Sequence, residues 1–393
     1  MKKLWNFHFI YLILLNTLSS IGFYMTMPTL PSFAVEIGAT LSMAGVLSGL
    51  FSLTALFIRP VAGMATDRWN KKRLLIIATL LISASTLGYS RSTSFAMLVA
   101  LRILHGTAFA FSSTSNMALT TLYIPKERMG EGVGYMGIAQ ILAMACGPGL
   151  GLRLANSIGH RQMFLVSTAI IFSAALLMLL VRYDRAQLEP ESAPQRKFSI
   201  QSFIAPELLL CALMSSLFSM SNGIISSFMP LMAAERGITG ADLFFTISSV
   251  VVLLVRPFAG KLLDRKGMVF VLIPAYAVGA ISAVMIGTAR ALWILLAAAV
   301  LKSVAQSSGQ PAVQAACVSR VSVLRRGVAL STCYLGNDIG QGLGTMLGGS
   351  LSESFGYTNM FCITGGIMLM GIVFLMIDRT LWRRRQSKTA APA

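Results

Sequence analysis

Arg102, His105, Phe109, Ser112 and Asn116 recur at spacings of three and four residues through an otherwise apolar run, which on an α-helix puts all five on one face. That face would be about 21 Å long at a rise of 1.5 Å per residue. A guanidinium within a membrane span is costly unless it meets water or a partner, so Arg102 is the strongest intramembrane functional candidate. It could attract an anion. His105, one turn on, either adds a group titrating near neutrality or stays neutral and hydrogen-bonded. Asp338 is the acid that falls near the middle of an apolar run, with Tyr334, Gln341 and Thr345 within about 60° of it on a helix. Unpaired, its carboxylate suits proton coupling. Paired, it is a structural partner of Lys302 or Arg102, and the two readings stand level.

Further polar residues line up in the same way. Asn16, Ser20, Phe23 and Met27 share a face of the first apolar run, and Ser215, Ser219, Asn222 and Ser226 share one in the seventh. Lys302 stands 200 residues after Arg102, followed at one-turn spacing by Gln306 and Gln310. All of these are candidates to line a cavity. The elements that must position them are membrane helices: 55% of the 393 residues are hydrophobic and 12% charged, and the mean hydropathy is +0.73. A bilayer core takes about 20 apolar residues per helix, and such runs are expected near 7–27, 41–66, 74–91, 94–116, 129–154 and 163–181. The second set is 204–230, 242–263, 269–288, 291–315, 327–352 and 358–378. No period-2 alternation supports a barrel.

The two sets of six are repeats. Arg59-Pro-Val-Ala-Gly63-Met-Ala-Thr-Asp67-Arg68 returns as Arg256-Pro-Phe-Ala-Gly260-Lys-Leu-Leu-Asp264-Arg265, at an offset of 197. Gly147, Gly151, Gly159 and Met163-Phe164 return at Gly344, Gly348, Gly356 and Met360-Phe361 at the same offset. A repeat this long in an apolar chain marks a transporter built from two halves.

The stretch from Gly63 through Asp67-Arg68 to Lys71-Lys72-Arg73 resembles motif A of the major facilitator superfamily, G-x-x-x-D-R-x-G-R-R. Asn70 stands at the second glycine of that pattern and Gly267 at its counterpart, and both residue types tolerate a left-handed turn. Gly63 suits close approach of a neighbouring helix, and Asp67 suits a helix N-terminus or an arginine. Arg102-x-x-His105-Gly106 is similar to the family's motif B, with His in place of the usual Gln. Gly147-Pro148-x-x-Gly151 resembles motif C, although Ala143 replaces its leading glycine. The resemblance covers essentially the whole chain and implies an all-α fold of 12 transmembrane helices in two pseudo-symmetric six-helix bundles. It further implies rocker-switch alternating access around a central site. In the family, motif A (here Gly63, Asp67, Arg68, Gly260, Asp264 and Arg265) holds the outward-facing state. The motif B arginine influences proton movement, and motif C (here Gly147, Pro148 and Gly151) goes with proton-exchanging exporters.

Residues 1–182 are then the first bundle, 183–203 a cytoplasmic linker, 204–378 the second bundle and 379–393 a basic cytoplasmic tail. With the N-terminus placed inside, 23 Lys and Arg lie on the cytoplasmic side against 5 outside, the positive-inside pattern of an inner or plasma membrane protein with both termini cytoplasmic. That pattern, rather than nucleic-acid binding, explains the net charge of +18, and the tail suits anionic lipid. The expected partners are a small molecule, protons and the bilayer, acting on a monomer. The five cysteines stand singly and give neither a disulfide framework nor metal-ligand spacing, and no cofactor motif is present. Were Arg102, Lys302 and Asp338 all to face one cavity, its formal charge would be +1. The leading expectation is therefore proton-coupled efflux of a small anionic, zwitterionic or neutral polar or amphipathic compound. Proton-linked or facilitated uptake of a sugar or organic anion is the alternative, and a non-transporting receptor or enzyme is disfavoured.

Overall fold

The computed structural model describes residues 4–125, 128–183, 205–321 and 325–389. In hydrocarbon every backbone N–H and C=O must be paired within the segment, which an apolar run achieves as a helix. The described residues accordingly form helices and no strand. The chain divides into two compact units, Met1–Lys197 and Phe198–Ala393.

In the first unit the helices are α1 (Phe7–Glu36), α2 (Leu41–Arg68), α3 (Lys71–Arg91), α4 (Phe95–Thr121), α5 (Met129–Ile158) and α6 (His160–Met178). Local chemistry sets their starts. The side chains of Asn6, Thr40, Asn70 and Ser94 cap α1 to α4, accepting from the N–H groups of Phe9, Met43, Arg73 and Met97 at 2.9, 3.3, 2.9 and 3.4 Å. Gly38, at φ 94°, makes the turn between α1 and α2. Helix α1 packs on α5 and α6, α2 on α4, and α3 on α4 and α6.

The second unit opens with a short 3₁₀ turn at Pro206–Leu208, followed by α7 (Leu209–Glu235), α8 (Leu243–Thr288), α9 (Leu292–Ser319) and α10 (Arg326–Thr389). Helix α8 breaks at Gly267 (φ 79°, ψ 172°) and α10 at Gly356 (φ 76°, ψ 165°), so each is two helical arms. Counted by arms, each unit has six helices among its described residues. Helix α7 packs along α10, and α8 packs on α9 and α10.

Several sequence expectations are corrected. Helix α1 does not stop near Met27 but continues through Pro28 and Pro31 to Glu36. The Thr26, Thr29 and Ser32 hydroxyls bond back to the Phe23, Met25 and Pro28 carbonyls of that stretch at 2.7, 2.9 and 3.2 Å, so these polar groups are satisfied within the helix. Asn70 is not left-handed: at φ −66°, ψ 109° it is the cap of α3, one of the two roles open to Asp67, which is exposed. The two halves thus turn by different devices, a side-chain cap in one and a positive-φ glycine, Gly267, in the other. A Cβ on Gly63 or Gly260 would meet nothing within 4 Å, so no neighbouring helix approaches closely there. Both lie near helix ends where the side of the helix is partly or fully exposed. Helix α10 runs on to Thr389, past the expected span end at 378. Most of the expected linker, 184–203, lies outside the described residues.

Close packing comes from glycines elsewhere. A Cβ on Gly147 would sit 2.5 Å from the Tyr24 Cβ and 3.1 Å from the Ile21 carbonyl oxygen, and one on Gly151 would strike the Met25 carbonyl. The repeat preserves this contact in the second unit, where Gly336 and Gly340 meet the Ala212 and Ser216 carbonyls and Gly344 meets Met220. At the other extreme of polarity, Arg320 at the end of α9 makes a two-pronged bond to Asp378, 2.7 and 2.5 Å. It also donates to Cys211 Sγ at 3.0 Å and lies 4.7 Å from the Trp382 ring. Burial opposes the Arg320 charge, yet the Asp378 bonds hold its pKa above the ordinary guanidinium value.

Two outcomes follow. Gly340→Val should wedge α10 from α7, costing at least about 1–3 kcal/mol and lowering the thermal midpoint in detergent, whereas Gly63→Ala should leave that midpoint level or slightly higher. Asp378→Asn leaves Arg320 buried without its counter-charge and should cost about 3–5 kcal/mol; the same melting experiment reads it.

Candidate functional site

The first unit gathers its polar candidates around α4. Gly106 makes this possible, because a Cβ there would come within 2.9 Å of the Phe51 carbonyl oxygen and 3.0 Å of Thr54 Cβ. Helix α4 therefore lies tight against α2, and the Thr66 and Ser115 hydroxyls bond across the same seam at 3.1 Å. Arg102 projects into this contact with 1% of its surface exposed. Its Nε donates to the Leu47 carbonyl at 3.2 Å, and the guanidinium carbon lies 4.6 Å from the Phe51 ring centre. That is a cation–π contact in a desolvated setting.

Tyr89 of α3 completes the arrangement. Its hydroxyl lies 3.1 Å from His105 Nδ1 and 3.5 Å from the Leu101 carbonyl. That hydroxyl donates to Nδ1 or accepts from it according to the imidazole tautomer. Among the described residues neither His105 Nε2 nor Arg102 Nη1 has a hydrogen-bond partner, although both are fully buried. A guanidinium N–H and an imidazole nitrogen without protein partners in one cluster suit a polar, oxygen-bearing group, since a buried polar atom left unpaired is costly.

Aromatic rings enclose this pair. Phe23 of α1 stacks on Phe109 at 4.8 Å and meets His105 edge-on at 5.5 Å, while Phe51 meets His105 at 5.5 Å and Phe109 at 5.1 Å. Of the sequence candidates the structure therefore brings together Arg102, His105, Phe23 and Phe109. Asn116 is buried two turns further along α4, its Oδ1 lacking a partner among the described residues. Asn16, Ser20 and Ser112 are half-buried on the same helices. Sequence reasoning missed Tyr89, Phe51 and the Leu47 carbonyl, which lie on α3 and α2 and carry no charge to mark them. It also missed Gln140, which donates to the Tyr24 hydroxyl at 3.0 Å beside the α1–α5 glycine contact.

In the second unit the candidates are more dispersed. Gln306 donates to Gln310 at 2.7 Å along α9, and Lys302, one turn before, is half-buried. Ser215 donates to Asn337 at 2.7 Å, tying α7 to α10, and Ser219 is buried while Asn222 is half-buried. Gln341 and Thr345 pack against α7 at Gly223, where a Cβ would meet them at 3.1 and 3.0 Å. Tyr334 is 47% exposed, and Asp338 is half-buried. The conformational-motif residues Asp67, Arg68, Asp264 and Arg265 are exposed at helix ends. No group of three or more His, Cys, Asp or Glu among the described residues could hold a metal ion.

Comparison with known proteins places this geometry in context. The model described as Major Facilitator Superfamily matches residues 12–294 and 211–392. The chain is 26% identical over 388 residues to the multidrug resistance protein MdtG of Citrobacter koseri, covering 95% of this chain and 94% of that one. It is 27% identical over 391 residues to MdtG of Enterobacter lignolyticus, covering 96% and 92%. Among solved structures, the nucleoside transporter NupG superposes with a TM-score of 0.79 at 13% identity, covering 95% of this chain and 99% of that one. A bacterial homologue of the human lysosomal transporter Spinster, inward-facing, gives 0.74 at 17% identity, covering 95% of each chain. At these identities the structural likeness speaks for the fold.

The cluster makes one stability prediction. Tyr89→Phe removes the hydroxyl paired with His105 Nδ1 and should cost about 1–3 kcal/mol, measured as a fall in the thermal midpoint, with Tyr11→Phe, whose bond to the Leu177 carbonyl is exposed, as the milder control.

Proposed function

The chain belongs to the Major Facilitator Superfamily of membrane transporters, and from that premise we propose that it expels small anionic, zwitterionic or neutral amphipathic molecules in exchange for protons. The observation that carries this reading is the buried Arg102–Tyr89–His105 cluster with its aromatic enclosure. A guanidinium with an N–H lacking a protein acceptor, beside an imidazole nitrogen also without a partner, favours a polar substrate group, and the stacked rings favour an apolar body. Near-full-length similarity to proteins named for multidrug resistance supports the outward direction.

In this reading Arg102 binds the substrate's acceptor group, and His105 and Asp338 are the candidates to carry the exchanged proton. The rocking contact is the glycine-thinned seam of α1 with α5, together with its repeat between α7 and α10. The protein sits in the inner membrane with both termini cytoplasmic, as the distribution of Lys and Arg supports, and acts as a monomer.

The test is accumulation of fluorescent amphipathic dyes by cells lacking their own efflux pumps. Expression should lower the content of an anionic dye, and a protonophore should restore it. Arg102→Ala should abolish the effect while the purified variant remains folded. Efflux that ignores the proton gradient, or a cationic dye that needs Arg102 as much as the anionic one does, would overturn the reading. Inward accumulation driven by an acidic exterior would favour the uptake alternative.

A further inference from the structure

In the first unit, Arg161 at the start of α6 closes off the end of α3 by donating to the Ser90 and Ser92 carbonyls at 3.2 and 3.1 Å. At the repeat offset of 197 the corresponding residues are Thr358, Gly287 and Ala289. Here the same two carbonyls are bonded differently. Thr358 donates to the Gly287 carbonyl at 3.0 Å, and Arg236, just past the end of α7, donates to the Ala289 carbonyl at 2.6 Å and to the Thr358 hydroxyl at 2.9 Å.

Replacing a long arginine with threonine, and a serine with glycine, leaves space. A cavity of about 580 Å³ opens there, lined by Arg236, Gly287, Thr288, Arg290 and Thr358. Arg290 occupies the position of Thr93 in the first half, so a second cation has been added where the backbone had no need of one. The ion pairs of the described residues leave Arg290 out, and it is exposed. Glu235, the residue before Arg236, acts on it alongside Arg290. Burial, with the neighbouring Arg290 charge, holds the Arg236 pKa below the usual guanidinium value against the opposite pull of Glu235. Like charges kept this close are relieved by an anion between them.

We infer that this end of the second bundle, opposite its Arg265–Gly267 turn, is a binding site for a phosphate oxyanion held by Arg236 and Arg290. After its two structural bonds Arg236 still has three N–H hydrogens, and Arg290 has five. Such forks match phosphate oxygens. Thr358 is the second residue of the distal arm of α10, so first-turn N–H groups open on the same end and favour an anion. The helix ends and the adjoining Trp293, 70% exposed, place the pocket at the depth of phospholipid headgroups. The phosphate can come from a lipid headgroup or from free solution. The site is separate from the Arg102 cluster, and its occupancy needs no transport.

The experiment is native mass spectrometry of the full-length protein in detergent, wild type and Arg290→Gln, with phosphatidylglycerol added. Arg290 makes no structural bond, so the variant should melt with the wild type. Wild type should retain the lipid about tenfold more tightly than the variant, the loss expected for one charge-assisted contact. A second arm adds inorganic phosphate: displacement of the lipid assigns the site to oxyanions in general, and lipid retained throughout assigns it to the headgroup in its bilayer setting. Equal retention of phosphatidylglycerol by wild type and Arg290→Gln overturns the inference.

Discussion

Backbone-to-backbone contact between the first and fifth helices of each half is the constraint on which the rest of this structure depends. Lipid gives helices no hydrophobic reason to associate, so association falls to close packing and buried polar bonds. Gly147 and Gly151 bring α5 onto the backbone of α1, and Gly336, Gly340 and Gly344 bring α10 onto that of α7. With those seams closed, Phe23 on α1 lies within reach of α4, and Ser215 on α7 reaches Asn337. A single added methyl group at these glycines would collide with main chain, which cannot yield as a flexible side chain can.

The polar chemistry is built on a second close approach, that of α4 to α2 at Gly106. It lets one buried guanidinium serve the Leu47 carbonyl and the Phe51 ring together, with the Tyr89–His105 pair alongside. A buried charge with this much support is compensated, yet its Nη1 is left over, as is the neighbouring His105 Nε2. Structure alone has no use for these two polar atoms, and a ligand does. The contrast with Arg320 is instructive, because Asp378 meets that guanidinium with both oxygens and makes it a tie between helices.

The two halves show how a repeat diverges once its packing is secure. The α2–α3 turn is capped by Asn70, whereas its partner turns through Gly267 at positive φ. The end of α3 is closed by Arg161, whereas the matching carbonyls are shared between Thr358 and Arg236. Each exchange keeps the backbone satisfied while moving charge and space, and the second produces the arginine-lined pocket.

Much of this was legible in the chain itself. Apolar runs of bilayer length, the offset of 197 and the Arg59–Arg68 repeat specify twelve helices in two related sets, because hydrocarbon permits no other backbone solution for such runs. Arg102 and His105 stood out because charge inside a span is costly, and their spacing put them on one face of α4. Tertiary structure decided what those groups touch. Tyr89, Phe51 and the Leu47 carbonyl come from other helices and are ordinary by type, so no local pattern announces them. It also decided which glycines matter, since Gly63 and Gly340 look alike in sequence, while one meets open space and the other the backbone of a neighbouring helix. Periodicity along one helix fixes a face; only the packing of several helices determines what that face meets.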